Sequence, residues 1–412
     1  MTYIHFFDGI SIESVCACLA SPPEKLIVIG SNGNAMRRYA RSLASMLHRR
    51  GQIVQTEVRT VPKNDLQAVY SLLCEIMAED GNCSVSLNGG DELAMVATGM
   101  LYEKYGTKPK LHRFNLVRGV IADLHKDGRE EMFDAPAVSI EEMISLFGGK
   151  LVYENEKPDG TRIWDMSSEF ADDVDRAWRI SKVNTKTWNN LISALGVLYT
   201  FRNEAEGVRC SMAVDEYERA MEDENGKVYY CESVIKRLMN AGLITEYSSR
   251  SVFSVTFKNE QVMQLLTVAG RALEMKVYLA ACNAMTDGEK TYDDVLNGVF
   301  VDWDGIVMPN ASSFDTENEI DVMMTRRGIP VFISCKNGWF DANELYKLNS
   351  VAERFGGKHA KKAIVASSFS SLGKAGNYIR ERAEDMGIPL IDDVKELSDT
   401  ELQKRLSTLW IS

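Results

Sequence analysis

Over residues 1–125, short β-rich runs alternate with stretches of helical periodicity, and this alternation constrains the fold more than any other feature. TYIHFF precedes ISIESVCACLA, and KLIVIG precedes a helix from about Asn34 to Arg50. IVQTEV precedes DLQAVYSLLCEIM, CSVSLN precedes DELAMVATGMLYEKY, and KLHRFNLV follows. The pattern predicts a parallel sheet covered by helices on both faces. In such sheets ligands bind beyond the carboxyl ends of the strands.

Two of those ends are chemically distinctive. KLIVIG runs into Gly30-Ser31-Asn32-Gly33-Asn34, and CSVSLN runs into Asn88-Gly89-Gly90-Asp91 at a helix start. Glycines there permit tight backbone turns, and free amides at a helix N-terminus attract phosphate. Ser31, Asn32, Asn34, Asn88, Gly89, Gly90 and Asp91 are therefore the candidate ligand-binding residues. Ordinary capped turns are the competing reading, with Asp91 as a helix cap. The GxGxxG fingerprint of dinucleotide sites is absent.

A chain of 412 residues predicts two or three domains. Apolar residues at 45% and charged residues at 26% exclude wholesale disorder and fibrous repeats. With 47 basic against 59 acidic residues, the net charge of −12 opposes nucleic-acid binding unless the cations cluster. The start, MTYIHFFDGI, lacks the basic region of a secretory signal, and no apolar run approaches the ~18 residues of a membrane span. A cytoplasmic, non-membrane protein is expected. The eight cysteines include no CxxC pair, and the five histidines lie at 5, 48, 112, 125 and 359. That spacing argues against a structural zinc site and for buried thiols rather than disulfides.

Residues 125–170 are polar and acidic, with Ser139-x-x-Glu142 predicting a capping box on a short helix that ends near Gly148-Gly149. Between 185 and 260, TWNNLISALGVLYTF is followed by VIKRLMNAGLI and the alternating run SVFSVTF. A helix ending at Ala241-Gly242-Leu243-Ile244 before two strands predicts a winged helix-turn-helix. Only Lys236 and Arg237 are basic on its second helix, and the neighbouring EYERAMEDENGK is acidic. A structural linker is favoured over a DNA reader.

The sharpest chemistry lies in the last third. Asn318-Glu319-Ile320-Asp321-Val322 and Val331-Phe332-Ile333-Ser334-Cys335-Lys336 read as two strands joined by a tight turn near Arg327-Gly328. A turn centred between 327 and 328 sets Asp321 opposite Ser334 and Glu319 opposite Lys336, all on one face. Two acids and a lysine beside Ile320, Val322 and Ile333 are costly unless they pair or hold a metal. An exposed face with a Glu319–Lys336 pair is the plainer alternative. Asp302 and Asp304 are weaker candidates, expected at a strand end or turn. Residues 322–382 hold eleven Lys and Arg, Lys374 among them, against four acids, a local charge of +7 that suits a phosphate backbone. Trp303, Trp339, Phe340 and Tyr346 are possible base-stacking partners, although most aromatics at such spacings are core.

The paired glycines of Asn88-Gly89-Gly90 before the helix Leu93-Ala94-Met95-Val96-Ala97 resemble the signature of CRISPR-associated Rossmann-fold (CARF) sensor domains. The family has Thr-Lys after the glycines, where this chain has Asp91-Glu92. The NEIDV…ISCK segment resembles PD-(D/E)xK nucleases, in particular those fused to CARF sensors as ancillary effectors of type III CRISPR systems. Both motifs occur in the order that fusion requires.

The resemblance implies an α/β chain with a Rossmann-like sensor over 1–150, a winged-helix linker over 151–260 and a restriction-endonuclease-like domain over 261–412. It implies a homodimer activated by a cyclic oligoadenylate, cyclic tetra-adenylate or hexa-adenylate, that cleaves single-stranded RNA or DNA with Mg or Mn. Asp321 and Lys336 match the motif's carboxylate and lysine. GRALEMKVYLAAC matches the upstream helix that supplies Glu274, with Leu273, Val277 and Ala281 as its buried stripe. Glu274, Asp321 and the Cys335 carbonyl are the implied metal ligands. The motif carries an acid where this chain has Ser334. That departure keeps a second reading open, a cyclic-oligoadenylate-responsive winged-helix regulator with an inactive nuclease-like domain. A third reading, a sensor that degrades its own activator, lacks an evident base in the sequence.

Overall fold

The computed structural model describes residues 1–123, 129–132, 134–221, 231–308, 317–369 and 373–411. His125, residues 222–227 of the acidic EYERAMEDENGK run, and the side chain of Lys374 lie outside that description.

The N-terminal elements are β1 (Thr2–Phe6), α1 (Ile12–Ala20), β2 (Lys25–Gly30), α2 (Gly33–Arg49), β3 (Gln55–Thr60), α3 (Leu66–Asp80), β4 (Cys83–Ser86), α4 (Glu92–Tyr105) and β5 (Lys110–Asn115). Two short strands, β6 (Val120–Asp123) and β7 (Glu130–Met132), follow. The sheet order is β3-β2-β1-β4-β5-β6-β7, parallel from β3 to β5 and antiparallel through β6 and β7. The antiparallel edge was not foreseen from the alternation. Side-chain alternation explains the two layers. Tyr3, Leu26 and Val28 share a core with α1 and α2, whereas Ile4, Ile27 and Ile29 share one with α3 and α4.

Next come α5 (Ile140–Leu146), β8 (Lys150–Val152), α6 (Ser168–Ser181), α7 (Thr185–Thr200), β9 (Arg209–Ala213), α8 (Val214–Met221), α9 (Glu232–Asn240), β10 (Ile244–Ser249), β11 (Val252–Phe257), α10 (Glu260–Thr267) and α11 (Arg271–Cys282). The capping box at α5 forms as expected, with Ser139 and Glu142 exchanging hydrogen bonds. Strands β10 and β11 make an antiparallel wing extended by β9, and Trp188, Leu238 and Phe253 fill the core beneath it.

The C-terminal part contains the two-residue strands β12 (Met285–Thr286) and β13 (Glu289–Lys290), then β14 (Asp294–Asp302), β15 (Glu317–Arg326), β16 (Ile329–Lys336), α12 (Asn343–Gly356), β17 (Lys361–Ala366), α13 (Gly373–Asp385), β18 (Leu390–Ile391) and α14 (Asp399–Leu406). Its sheet order is β18-β17-β16-β15-β14-β8. Val322 faces Ile333 and Arg326 faces Ile329, the register that a turn between 327 and 328 demands. Arg327 and Gly328 both have positive φ, 50° and 75°, as a two-residue type I′ hairpin requires. Helix α11 packs Leu273 and Val277 under this sheet and Ala272 and Met275 into the winged unit. One continuous core runs from α1 and α2 through α5 into the C-terminal sheet.

Candidate functional site

Beyond the carboxyl ends of β1 to β4 lies a pocket of about 360 Å³. Ser31, Asn32, Gly90 and Asp91 line it, and Asn34 lines the recess beside it. Asn32 and Asp91 also cap their helices, accepting hydrogen bonds from the Ala35 and Ala94 amides at 3.2 and 2.9 Å. The N-termini of α2 and α4 therefore face one space, where their amides and Lys63 favour negative charge and Asp8, Asp65 and Asp91 oppose it. Gly90 has φ +91°, and a Cβ there would lie 2.6 Å from that of Phe6, so only glycine fits.

Asn88 and Gly89 fall outside the lining. The Asn88 side chain clamps β4 to β5, its Nδ2 donating to the Phe114 carbonyl at 2.8 Å and its Oδ1 accepting from the Phe114 amide at 2.6 Å. The sequence reading missed two cations, Lys63 and Arg37, which line the recess. Lys63 follows β3 in Pro62-Lys63-Asn64-Asp65, a third strand-end turn of the kind that follows β2 and β4. Arg37 lies one helical turn beyond Gly33 and donates to Asn34 at 2.7 Å.

The second site forms where the β15–β16 ladder ends. Past Val322–Ile333 the backbone pairing stops, and β16 continues beside β17 alone. In place of a ladder partner, the Asp321 carboxylate accepts hydrogen bonds from the Cys335 amide at 2.6 Å and the Ser334 hydroxyl at 3.2 Å. The resulting cleft of about 100 Å³ is lined by Glu319, Asp321, Ser334 and Lys336 on the sheet and by Glu344 and Lys347 on α12. The shared face expected from the sequence is thus present. The plainer alternative, a Glu319–Lys336 pair, is not formed: Lys336 Nζ lies 2.6 Å from Glu344 Oε2, and Glu319 stays at the exposed rim.

Glu274 comes up from α11 and is 7% exposed, rather than solvated on a helix face. Burial pushes its carboxyl up to about 8, against the opposing pull of Arg271 and with a further push from Asp321. Its Oε2 lies 3.3 Å from Arg271 Nη1 but accepts no hydrogen bond. Burial likewise raises Asp321, against the pull of the Cys335 amide and Lys336. Arg271 reaches this position because Gly298, at φ +58°, has no Cβ, which would sit 2.8 Å from the guanidinium.

Asp302 ends β14 and Asp304 lies in the turn beyond it, as expected, and they accept hydrogen bonds from the turn amides of Gly305 and Ile306. Among the proposed stacking aromatics, Phe340 is core, whereas Trp339 and Tyr346 are exposed. Cys335 is buried, and all eight thiols are free. Among the described residues, no three His, Cys, Asp or Glu side chains converge closely enough to hold a metal. Glu274 and Asp321 still suit a hard cation, since Mg²⁺ is commonly held by one or two carboxylates plus water and phosphate oxygens. The unsatisfied oxygen of Glu274 is one such donor. Among the described residues no helix is long and apolar enough to cross a membrane.

No family model matches the chain, and neither does any curated protein. Solved structures do. Protein VC1899 from Vibrio cholerae superposes with a TM-score of 0.73 at 17% identity, over 100% of this chain and 98% of that one. Can2 from Sulfobacillus thermosulfidooxidans, solved in complex with cyclic tetra-adenylate, superposes with a TM-score of 0.64 at 15% identity, over 100% and 99%. The fold is therefore shared along the whole chain: a Rossmann-like sheet, a winged helical unit and a C-terminal mixed α/β domain.

Proposed function

We propose that this chain is a cyclic-oligoadenylate-activated, metal-dependent endonuclease of type III CRISPR antiviral defence, cleaving single-stranded RNA or DNA. The observation that carries the reading is one cleft lined by Asp321 and Lys336, with the buried Glu274 carboxyl within range of both their charges, and a separate pocket at the strand ends of the N-terminal sheet. The whole-chain likeness to a protein solved with cyclic tetra-adenylate supports assigning that pocket to such a ring. Residues 1–150 then serve as the sensor, 151–260 as the linker and 261–412 as the nuclease. Two copies would enclose one ring in a homodimer working in the cytoplasm.

Glu274, Asp321 and the Cys335 carbonyl would hold Mg²⁺ or Mn²⁺, which when bound supplies charge against the phosphate and acidifies a water. Asp321 is fixed for this by the Cys335 amide and Ser334 hydroxyl. Lys336 presents an ammonium to the same cleft, where it can donate to a phosphate oxygen and offset the charge that develops on it. A ligand shifts this activity only through its differential affinity for two states of the protein, so basal cleavage is low but not zero.

The test is cleavage of labelled single-stranded RNA and DNA with Mn²⁺, without ligand and with cyclic tetra- or hexa-adenylate. Asp321→Ala and Lys336→Ala should each abolish ligand-stimulated cleavage while leaving ligand binding intact. Cleavage retained in both variants overturns the assignment. Ser334, in place of the motif's acid, favours the alternative of a ligand-responsive winged-helix regulator with a silent nuclease fold. Ligand-dependent binding of a specific duplex without cleavage would establish that alternative.

A further inference from the structure

Lys336 stands at the end of β16, where the ladder to β15 has already opened. A lysine there carries four rotatable bonds and would sweep the cleft unless something held it. Neither sheet acid holds it: Asp321 is engaged by Ser334 and the Cys335 amide, and Glu319 makes no ion pair with Lys336. The carboxylate that does comes from another element. Glu344 Oε2 lies 2.6 Å from Lys336 Nζ, and its Oε1 lies 2.8 Å from Lys347 Nζ.

Glu344 is well placed to be a fixed point. It sits in the first turn of α12, where the helix dipole favours a negative charge. Leu345, Leu348, Ala352 and Phe355 bury the same helix against the C-terminal core, so its register over β16 is set by packing. Hydrogen bonds from Lys336 and Lys347 outweigh the effect of burial and hold the carboxyl below its ordinary range.

We infer that Glu344 is a positioning residue for Lys336, clamping the ammonium from α12 so that it faces the same cleft as Asp321. The inference rests on the nuclease reading above. It is distinct from the acid expected at 334: Ser334 serves Asp321, whereas Glu344 serves the lysine. Preorganising a catalytic group in this way raises turnover more than it improves substrate binding.

Two readouts test it on the 412-residue chain. In the first, Lys336 is labelled with an N-hydroxysuccinimide ester and the modified peptide is followed by mass spectrometry. Glu344→Gln should raise the labelling rate at least fivefold, and Glu344→Asp should raise it less. In the second, ligand-stimulated cleavage with Mn²⁺ should fall at least tenfold in kcat in Glu344→Gln, with KM changed less than twofold and partial recovery in Glu344→Asp. Thermal midpoints and cyclic tetra-adenylate binding report that the variants are folded, and should Glu344→Gln fail there, the Asp variant decides by labelling. An unchanged Lys336 labelling rate overturns the clamp whatever the activity does. Faster labelling with unchanged kcat overturns its catalytic role. Cleavage that survives Asp321→Ala and Lys336→Ala defeats the underlying nuclease reading, whereas cleavage that needs both but tolerates Glu344→Gln defeats the role of Glu344 alone.

Discussion

Glu13, in the first turn of α1, lies 2.9 Å from His359 Nε2, so α1 and the short turn that follows α12 meet through a carboxylate–imidazole contact. Lys358 joins it, 3.2 Å from Glu13 and 3.4 Å from the Asn88 carbonyl, just past the end of β4. Ser11 donates to the same carboxylate at 3.1 Å. The other end of α12 carries Glu344 and, through it, Lys336. The β15–β16 hairpin makes a parallel connection, because its Arg327-Gly328 tip packs on Ile12 and Cys16 of α1 while its open end forms the cleft. Helix α1 thus touches both the tip of that hairpin and the turn that follows α12.

The Glu13 cluster predicts an acid-dependent stability. Burial raises the Glu13 carboxyl, but the hydrogen bond and charge of His359, with Lys358, overcome it and leave the group at about 2. Between its ordinary 4.5 and about 2 the unfolded chain binds a proton that the folded chain does not. The stabilisation is therefore complete above 4.5 and is lost as pH falls toward 2. Glu13→Gln should lower the urea midpoint at pH 7, with the gap to the wild type narrowing steadily below pH 4.5. A gap that does not change with pH would show that the loss is packing rather than charge.

At the pocket, Lys63 is the cation that lines the same space as Asp91, the first acid after the paired glycines. Asp91 is occupied as the α4 cap, and Lys63 reaches the recess from the turn after β3. Lys63→Ala should weaken cyclic tetra-adenylate binding about tenfold, or ~1.4 kcal/mol, and flatten its dependence on salt. Isothermal titration at two ionic strengths measures both. Unchanged affinity would place the ring elsewhere than this recess.

The fold was legible where local pattern and tertiary role coincide. The strand–helix alternation, the capping box, the wing and the 327–328 hairpin register all follow from periodicity and turn chemistry that act within a few residues. What escaped depends on long-range partners. Nothing in KLV at 150–152 marks it as the edge strand beside β14, and nothing near Glu344 links it to Lys336 rather than to its helix neighbour Lys347. The Asn88 amide looked like a ligand donor because its true partner, the Phe114 backbone, lies 26 residues away on β5. Glu274 was legible only as a helix position, since its burial comes from the sheet laid over it.

That burial gives Glu274 a testable signature. With the carboxyl pushed up to about 8 from an ordinary 4.5, the folded chain holds a proton across this range that the unfolded chain releases. Stability of the metal-free protein therefore falls as pH rises from 5 to 8. Glu274→Gln removes the titrating group while keeping its shape, so in EDTA the variant should melt several degrees above the wild type at pH 8 and close to it at pH 5. Manganese should reverse the order at pH 8. A bound cation draws the proton off Glu274 and stabilises the wild type, whereas the neutral amide offers only a weak ligand. Cleavage should be lost in the variant under every condition. A variant stabilised equally at both pH values would show that Glu274 does not titrate in the fold, and one that keeps the full manganese-induced shift would remove it from the metal ligands.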